Sequence, residues 1–455
     1  MKNQTFQRTK TLFNLTLVAF SVVLSSQQSF AQTEEPVKEK EVKEKEKKDS
    51  GKIDASDKST AAIKYRRSSL HTMIIEDAKL PKIDIILNTF HNAPFPEKYN
   101  DHTVGEKSFN LANYMAEPVI NENGKEEKAD KDLSPAINKY FAENKTANKI
   151  VAKWFNRKDN GAFDMTLIQE RGMYDASAQD IQIASSSSRG DAALADAGEE
   201  LLPNTFVVVS YSKFVSNEVA AAAVKATAYA VASTKGAFKV PLEKAADLLY
   251  EKTRHGYSVW TTAYLYKLNW NDSTSAVFYQ NYWMDESKID PAKKEAFDNT
   301  NLFSLQLLGF EKASILISGL GKNADSETSI IKNATLKSID AVYAKLQRKF
   351  EPFRTKTPLV SSEPITAKIG MKEGLESGDK YEVLEQTVSP EGKVVYKRKG
   401  VITVEKNKIM DNRYAAGEIP LDEEGNPIKP ENDFEYTTFK GGKGYYAGML
   451  IRQIN

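Results

Sequence analysis

The chain has 455 residues, 63 Lys and Arg against 62 Asp and Glu, a formal net charge of +1 and no cysteine. Without cysteine there is no disulfide framework, no thiolate metal site and no lipobox residue to carry a lipid anchor. A near-neutral balance with no one-sided basic block gives nucleic-acid binding no electrostatic footing.

The N-terminus carries Lys2, Arg8 and Lys10, then an apolar run over residues 12–24, then Ser29-Phe30-Ala31 before Gln32. A charged start, an apolar stretch and a small-x-small site in that order predict a signal peptide over residues 1–31. Asn14 and Thr16 interrupt the run, which falls short of the ~20 residues a spanning helix needs. Cleavage therefore leaves no transmembrane segment, and loss of three cations takes the formal charge from +1 to −2. An exported chain is expected, periplasmic before outer-membrane-associated or extracellular. Residues 32–60 alternate Glu and Lys with almost nothing apolar, which predicts a disordered or transiently helical tether.

Residues 61–455 are too many for one ordinary core. Residues 61–352 read as an α/β domain: a helix over 61–77, a β-branched strand over 82–90 and a polar loop over 92–101. Residues 121–132 read as a surface excursion. Ser134-Pro135 starts a helix whose apolar spacing runs to Phe155, and residues 163–169 alternate like a strand. Helices over 174–183 and 191–202 precede a buried strand over 205–211, which contains Phe206-Val-Val-Val209. Residues 218–236 are an Ala-rich helical insert, followed by a helix over 242–253. Residues 257–270 and 275–284 read as a hairpin around Asn271-Asp272. A helix over 291–298, a strand over 302–317 and a long amphipathic helix over 327–350 complete the domain. Residues 353–364 read as a linker. Residues 365–455 form short strands (365–369, 380–385, 394–397, 400–404 and 445–451) between Gly-rich turns, the pattern of a small all-β barrel.

This order of helices and strands is an α/β layer arrangement, and at three places it resembles the TolB-N/CsgG-like fold of bacterial envelope proteins. Residues 82–90 are similar to that family's first strand, which ends in Phe before a polar loop. Residues 147–170 with Arg171 are similar to its first helix and a strand ending in Arg, and residues 204–211 to the strand after its second helix. Ile369-Gly-Met-Lys-Glu-Gly-Leu-Glu-Ser-Gly-Asp-Lys-Tyr-Glu-Val383 resembles the small barrel that follows such a domain in the flagellar protein FlgT. The whole is also similar to uncharacterised secreted proteins of the Bacteroidota. The resemblance implies a non-enzymatic secretion or scaffold component and carries over no catalytic residue. The Ala-rich insert departs from the secretion-channel type, because it lacks the alternation of a membrane-crossing hairpin.

The residues themselves spell out no reaction. His71, His91, His102 and His255 include no HExxH or paired spacing, although His91 and His102 share a loop region with Glu97 and Asp101. Ser185 to Ser188 has no His nearby in sequence, and no Gly-x-Ser-x-Gly elbow occurs. Gly319-Leu-Gly321-Lys322 lacks the phosphate-loop spacing. The carboxylate pairs Glu199-Glu200 and Asp422-Glu423-Glu424 read as helix ends or turns. No catalytic, metal or cofactor residue is assigned. Gly441, Gly442, Lys443, Tyr445 and Tyr446 form either a shallow binding surface or a tight turn into the last strand. The expected function is a non-catalytic envelope protein that binds other envelope proteins or cell-wall material, with self-association as one form. The alternative is a secreted hydrolase with a carboxylate site, which predicts a deep cleft holding an acid of raised pKa.

Overall fold

A computed structural model describes residues 68–115, 132–174, 201–234, 236–254, 256–318, 327–388, 394–414 and 434–454. The leader, the tether, the surface excursion up to residue 131, and nearly all of the helices expected at 174–183 and 191–202 lie outside those residues. So do His255, the Ser185 to Ser188 run, the phosphate-loop fragment and both carboxylate pairs.

The fold is mixed α/β with a separate closed barrel. Its sheet is ordered β2-β1-β4-β5-β6, with β3 also on β1. These strands are β1 (Ser69–Glu76), β2 (Asn100–Asp101), β3 (Ser108–Asn110), β4 (Thr205–Ser216), β5 (Gly256–Leu268) and β6 (Leu305–Ser318). β1 pairs parallel with β2, β3 and β4.

Helices cover both faces. On one face lie α2 (Ser134–Glu143), α3 (Thr146–Trp154), α4 (Thr166–Tyr174), α7 (Asp272–Asn281) and α8 (Pro291–Asn299). Their Ile137, Phe141, Val151, Trp154, Ile168, Phe278 and Phe297 pack with Met73, Val207, Val209 and Tyr266 of the sheet. The other face takes α1 (Ile83–His91) and α9 (Glu327–Lys349), through Ile86, Phe90, Ile331, Val342 and Leu346.

Several expectations need correction, and burial explains most of them. Residues 69–76, expected as helix, form central strand β1, whose two faces enter different cores, so its apolar run shows no alternation. Residues 82–90, expected as strand, form α1: Ile83, Ile86 and Phe90 are buried at helical spacing, and that period outweighs β-branched propensity. Residues 163–169 enter α4, where Asp164 Oδ1 accepts from the Thr166 amide at 3.0 Å. The single helix expected over 134–155 is two, broken at Lys145 with φ +50°. Asn271-Asp272 is no hairpin turn; Asn271 Oδ1 caps α7 by accepting from the Thr274 amide at 3.0 Å. The strands at 205–211, 257–270 and 302–317 and the helices at 291–298 and 327–350 are present, with shifted ends.

The barrel closes in the order β10-β11-β8-β7-β12-β9, every pair antiparallel. Its strands are β7 (Lys356–Ser362), β8 (Ile365–Ala367), β9 (Lys380–Val388), β10 (Val394–Val404), β11 (Thr437–Gly441) and β12 (Leu450–Ile454). Most of the expected linker is thus a barrel strand, β7. The two strands expected at 394–397 and 400–404 are one, with a register shift between Arg398 and Gly400. At the end of α9, Arg348 holds Asp379 through two bonds, at 2.9 and 3.2 Å. Tyr99 stacks on Phe353 at 4.9 Å and donates to its carbonyl.

Residues 216–256 form a second compact unit. Its helices α5 (Asn217–Ser233) and α6 (Lys239–Thr253) pack on each other, and Asp247 accepts from both Lys225 and Tyr229. The Ala-rich helix is therefore one arm of a helical hairpin, between β4 and β5 in the chain.

Candidate functional site

A dense polar cluster sits where α3 and α4 meet the β1–β2 end of the sheet. Ile168 and Arg171, three residues apart, both point into the core from α4, and both are buried. The Arg171 guanidinium donates to Ser69 Oγ at 3.0 Å and to the Asp101 carbonyl at 2.9 Å. It also bonds His102 Nδ1 at 2.8 Å and lies 4.4 Å over the Trp154 ring. An arginine has no acceptor, so His102 Nδ1 must accept and Nε2 must carry the proton. That proton goes to the Ile150 carbonyl at 2.9 Å. The Trp154 ring also stacks on His102 at 5.0 Å and its N–H donates to Thr205 Oγ1 at 2.9 Å.

Both buried histidines are neutral. Burial and the adjoining Arg171 hold His102 well below the ordinary imidazole range. Burial and Lys153 push His71 down to about 4. His71 Nδ1 accepts from the Val104 amide at 3.4 Å, and its Nε2 has no hydrogen-bond partner among the described residues. The cluster is sealed: His71 and His102 have no exposed surface. Its physical effect is to fix α4 on the sheet, since a substrate cannot reach it without unpacking α3.

His91 and His102, which share a loop region in the sequence, are not brought together. His91 is exposed at the end of α1 while His102 is inside. Asp101 turns its carboxylate to the Thr103 amide at 2.8 Å. Among the described residues no three His, Asp or Glu converge as a metal site would require.

Outside the cluster, an open cleft of about 510 Å³ lies between α3 and α4, lined by Lys153, Arg157 and Glu170 among others. Arg157 is braced by Asp298 and stacks over Phe297 at 4.4 Å. Lys153 and Glu170 carry no signal in the sequence, because single charges on amphipathic helices look like solvated faces, and Arg157, just past the end of α3, looks like a solvated loop charge.

Gly441 is the last residue of β11, and Gly442, Lys443, Tyr445 and Tyr446 follow in the loop to β12. A Cβ at Gly441 would lie 2.4 Å from Ile402 Cγ2, and one at Gly400 would lie 2.2 Å from the Tyr445 hydroxyl. Close packing accounts for Gly441, and the Tyr445 ring fills the space beside Gly400 and packs against the barrel core. Tyr446 stands exposed.

Among the described residues one carboxyl is held above its ordinary range, Asp340 of α9, and burial is the cause. It is engaged by Lys372 and by the Tyr414 amide, which donates at 2.8 Å. It lines neither this cleft nor the smaller one beside Arg354 and Arg452.

The chain matches no known protein-family model and no curated protein. No helix among the described residues is long and apolar enough to cross a membrane.

Proposed function

We propose that this is a non-catalytic, exported envelope protein that works by binding other envelope proteins, with the α5–α6 hairpin as its main contact surface. One observation carries the reading. Val219, Val231, Phe238, Val240 and Leu248 are each 45–66 % exposed, and all five belong to this one short hairpin. Scattered single apolar residues are normal on a surface, whereas a concentration of large ones marks an interaction site. The leader-like N-terminus and the charged stretch after it support export on a tether. The likeness to the TolB-N/CsgG-like fold adds the same expectation, carried now by the layer order and by β4. For the hydrolase alternative, the described carboxyl held above its ordinary range, Asp340, lines neither of the two clefts described above.

Pull-down from an envelope extract tests the proposal. The exported chain should retain a discrete envelope component, and a Val240→Asp/Leu248→Asp variant should lose it with the thermal midpoint unchanged. Concentration-dependent self-association abolished by the same variant would make a second copy the partner. A strictly monomeric chain that retains nothing contradicts the reading.

A further inference from the structure

The cleft between α3 and α4 holds two opposite charges that no ion pair among the described residues neutralises. Lys153 of α3 is half-buried and spends one ammonium N–H on the Thr103 carbonyl at 2.8 Å, leaving two of three donors. It makes no ion pair among the described residues, and neither does the exposed Glu170 of α4. Both line the same volume of about 510 Å³, and no ion pair joins them. Arg157 also lines it, but Asp298 already balances that charge at 2.5 Å.

Burial lowers the Lys153 pKa, and the Asp101 carboxylate, which makes no ion pair with it, offsets part of that effect. An anionic group placed beside it would offset the rest and take up its two remaining donors. An ammonium on the same ligand would meet Glu170, while Ala152 and Leu167 supply an apolar wall. A volume of this size falls within the range of small-molecule sites, and one wall is pinned by local hydrogen bonds. Asn156, in the left-handed region at φ +42°, donates to Asp164 at 2.8 Å, and Asp164 also holds the first turn of α4.

We infer that this cleft is a binding site for a small zwitterion of amino-acid to dipeptide size, its carboxylate on Lys153 and its ammonium on Glu170. The inference concerns a small ligand on the α/β domain and stands independently of the hairpin's role.

Calorimetric titration of the full exported chain with three probes tests it: dialanine, N-acetyl-dialanine, which lacks the ammonium, and dialanine amide, which lacks the carboxylate. Dialanine should bind saturably, and each blocked probe at least tenfold more weakly. Glu170→Gln should abolish the preference over the N-acetyl probe and keep the preference over the amide; Lys153→Gln should do the reverse. Glu170 is exposed, so its variant folds even if the lysine variant is impaired. No saturable binding of dialanine, equal binding of all three, or unchanged preferences in Glu170→Gln would each overturn the site.

Discussion

Replacing Arg171 with methionine would leave Ser69 Oγ, the Asp101 carbonyl and His102 Nδ1 without their donor inside a closed core. Each stranded buried acceptor costs about 1–3 kcal/mol, so Arg171→Met should destabilise the fold by roughly 3 kcal/mol or more, read by denaturant titration. Arg171→Lys should recover less than half of that, because one ammonium cannot span three acceptors and lie flat on Trp154. Equal stability of Arg171→Met and the parent chain would contradict a structural role for the cluster. The two neutral histidines give the same region a pH signature. Their folded pKa values lie below the unfolded value of about 6.5, so the unfolded chain takes up protons first as pH falls. Stability is complete above about pH 6.5 and declines below it, by about 1.4 kcal/mol per unit for each histidine. For His71 the decline levels off near pH 4, a total of about 3 kcal/mol. Unfolding midpoints at pH 7.5, 6 and 5 should show that fall, and His71→Gln should roughly halve its slope, leaving the share of His102.

Elements show best which physical signals survive in one dimension. Helices over 291–298 and 327–350 and the strand Phe206-Val-Val-Val209 are legible because pattern and burial agree, with Asp290 capping the first of them. α1 and β1 trade places between sequence and structure for a common reason. A β-branched helix buried on one side and a strand buried on both have similar composition, and only packing partners separate them. The Asn271-Asp272 pair serves a hairpin turn or an N-cap equally well until the Thr274 amide is placed. The site is less legible than the fold. Arg171 and Trp154 lie far from Ser69 in sequence, and nothing local announces that a guanidinium will be buried there. In the barrel, Gly370 is tested by one substitution. A Cβ there would lie 2.2 Å from the Met410 carbonyl oxygen, a backbone atom that cannot swing aside. Gly370→Ala should cost about 2 kcal/mol or more, seen as a lowered thermal midpoint; an unchanged midpoint would contradict this packing. Asp379→Asn, which weakens the hold of Arg348 on the barrel, should cost about 1–2 kcal/mol, and a double-mutant cycle with Arg348→Met would show the two effects to be coupled.

At the scale of the molecule, the described residues divide into a well-packed body and a helical hairpin. The body buries the polar cluster around Arg171, and the hairpin leaves large apolar side chains exposed. A barrel strand, β7, stands in place of most of the expected linker, and the α/β layers meet the barrel region through contacts such as Arg348 with Asp379 and Lys98 with the Lys368 carbonyl. The proposed binding role rests on the hairpin, where five large apolar side chains are exposed. The central claim is that this occupant is an envelope protein. A photo-crosslinking residue placed at Val240, with Asn407 in an exposed barrel turn as control, tests it in intact cells. One discrete adduct is expected at Val240, containing an envelope protein or a second copy of the chain, and none at Asn407. The same faint pattern of adducts at both positions would contradict the claim.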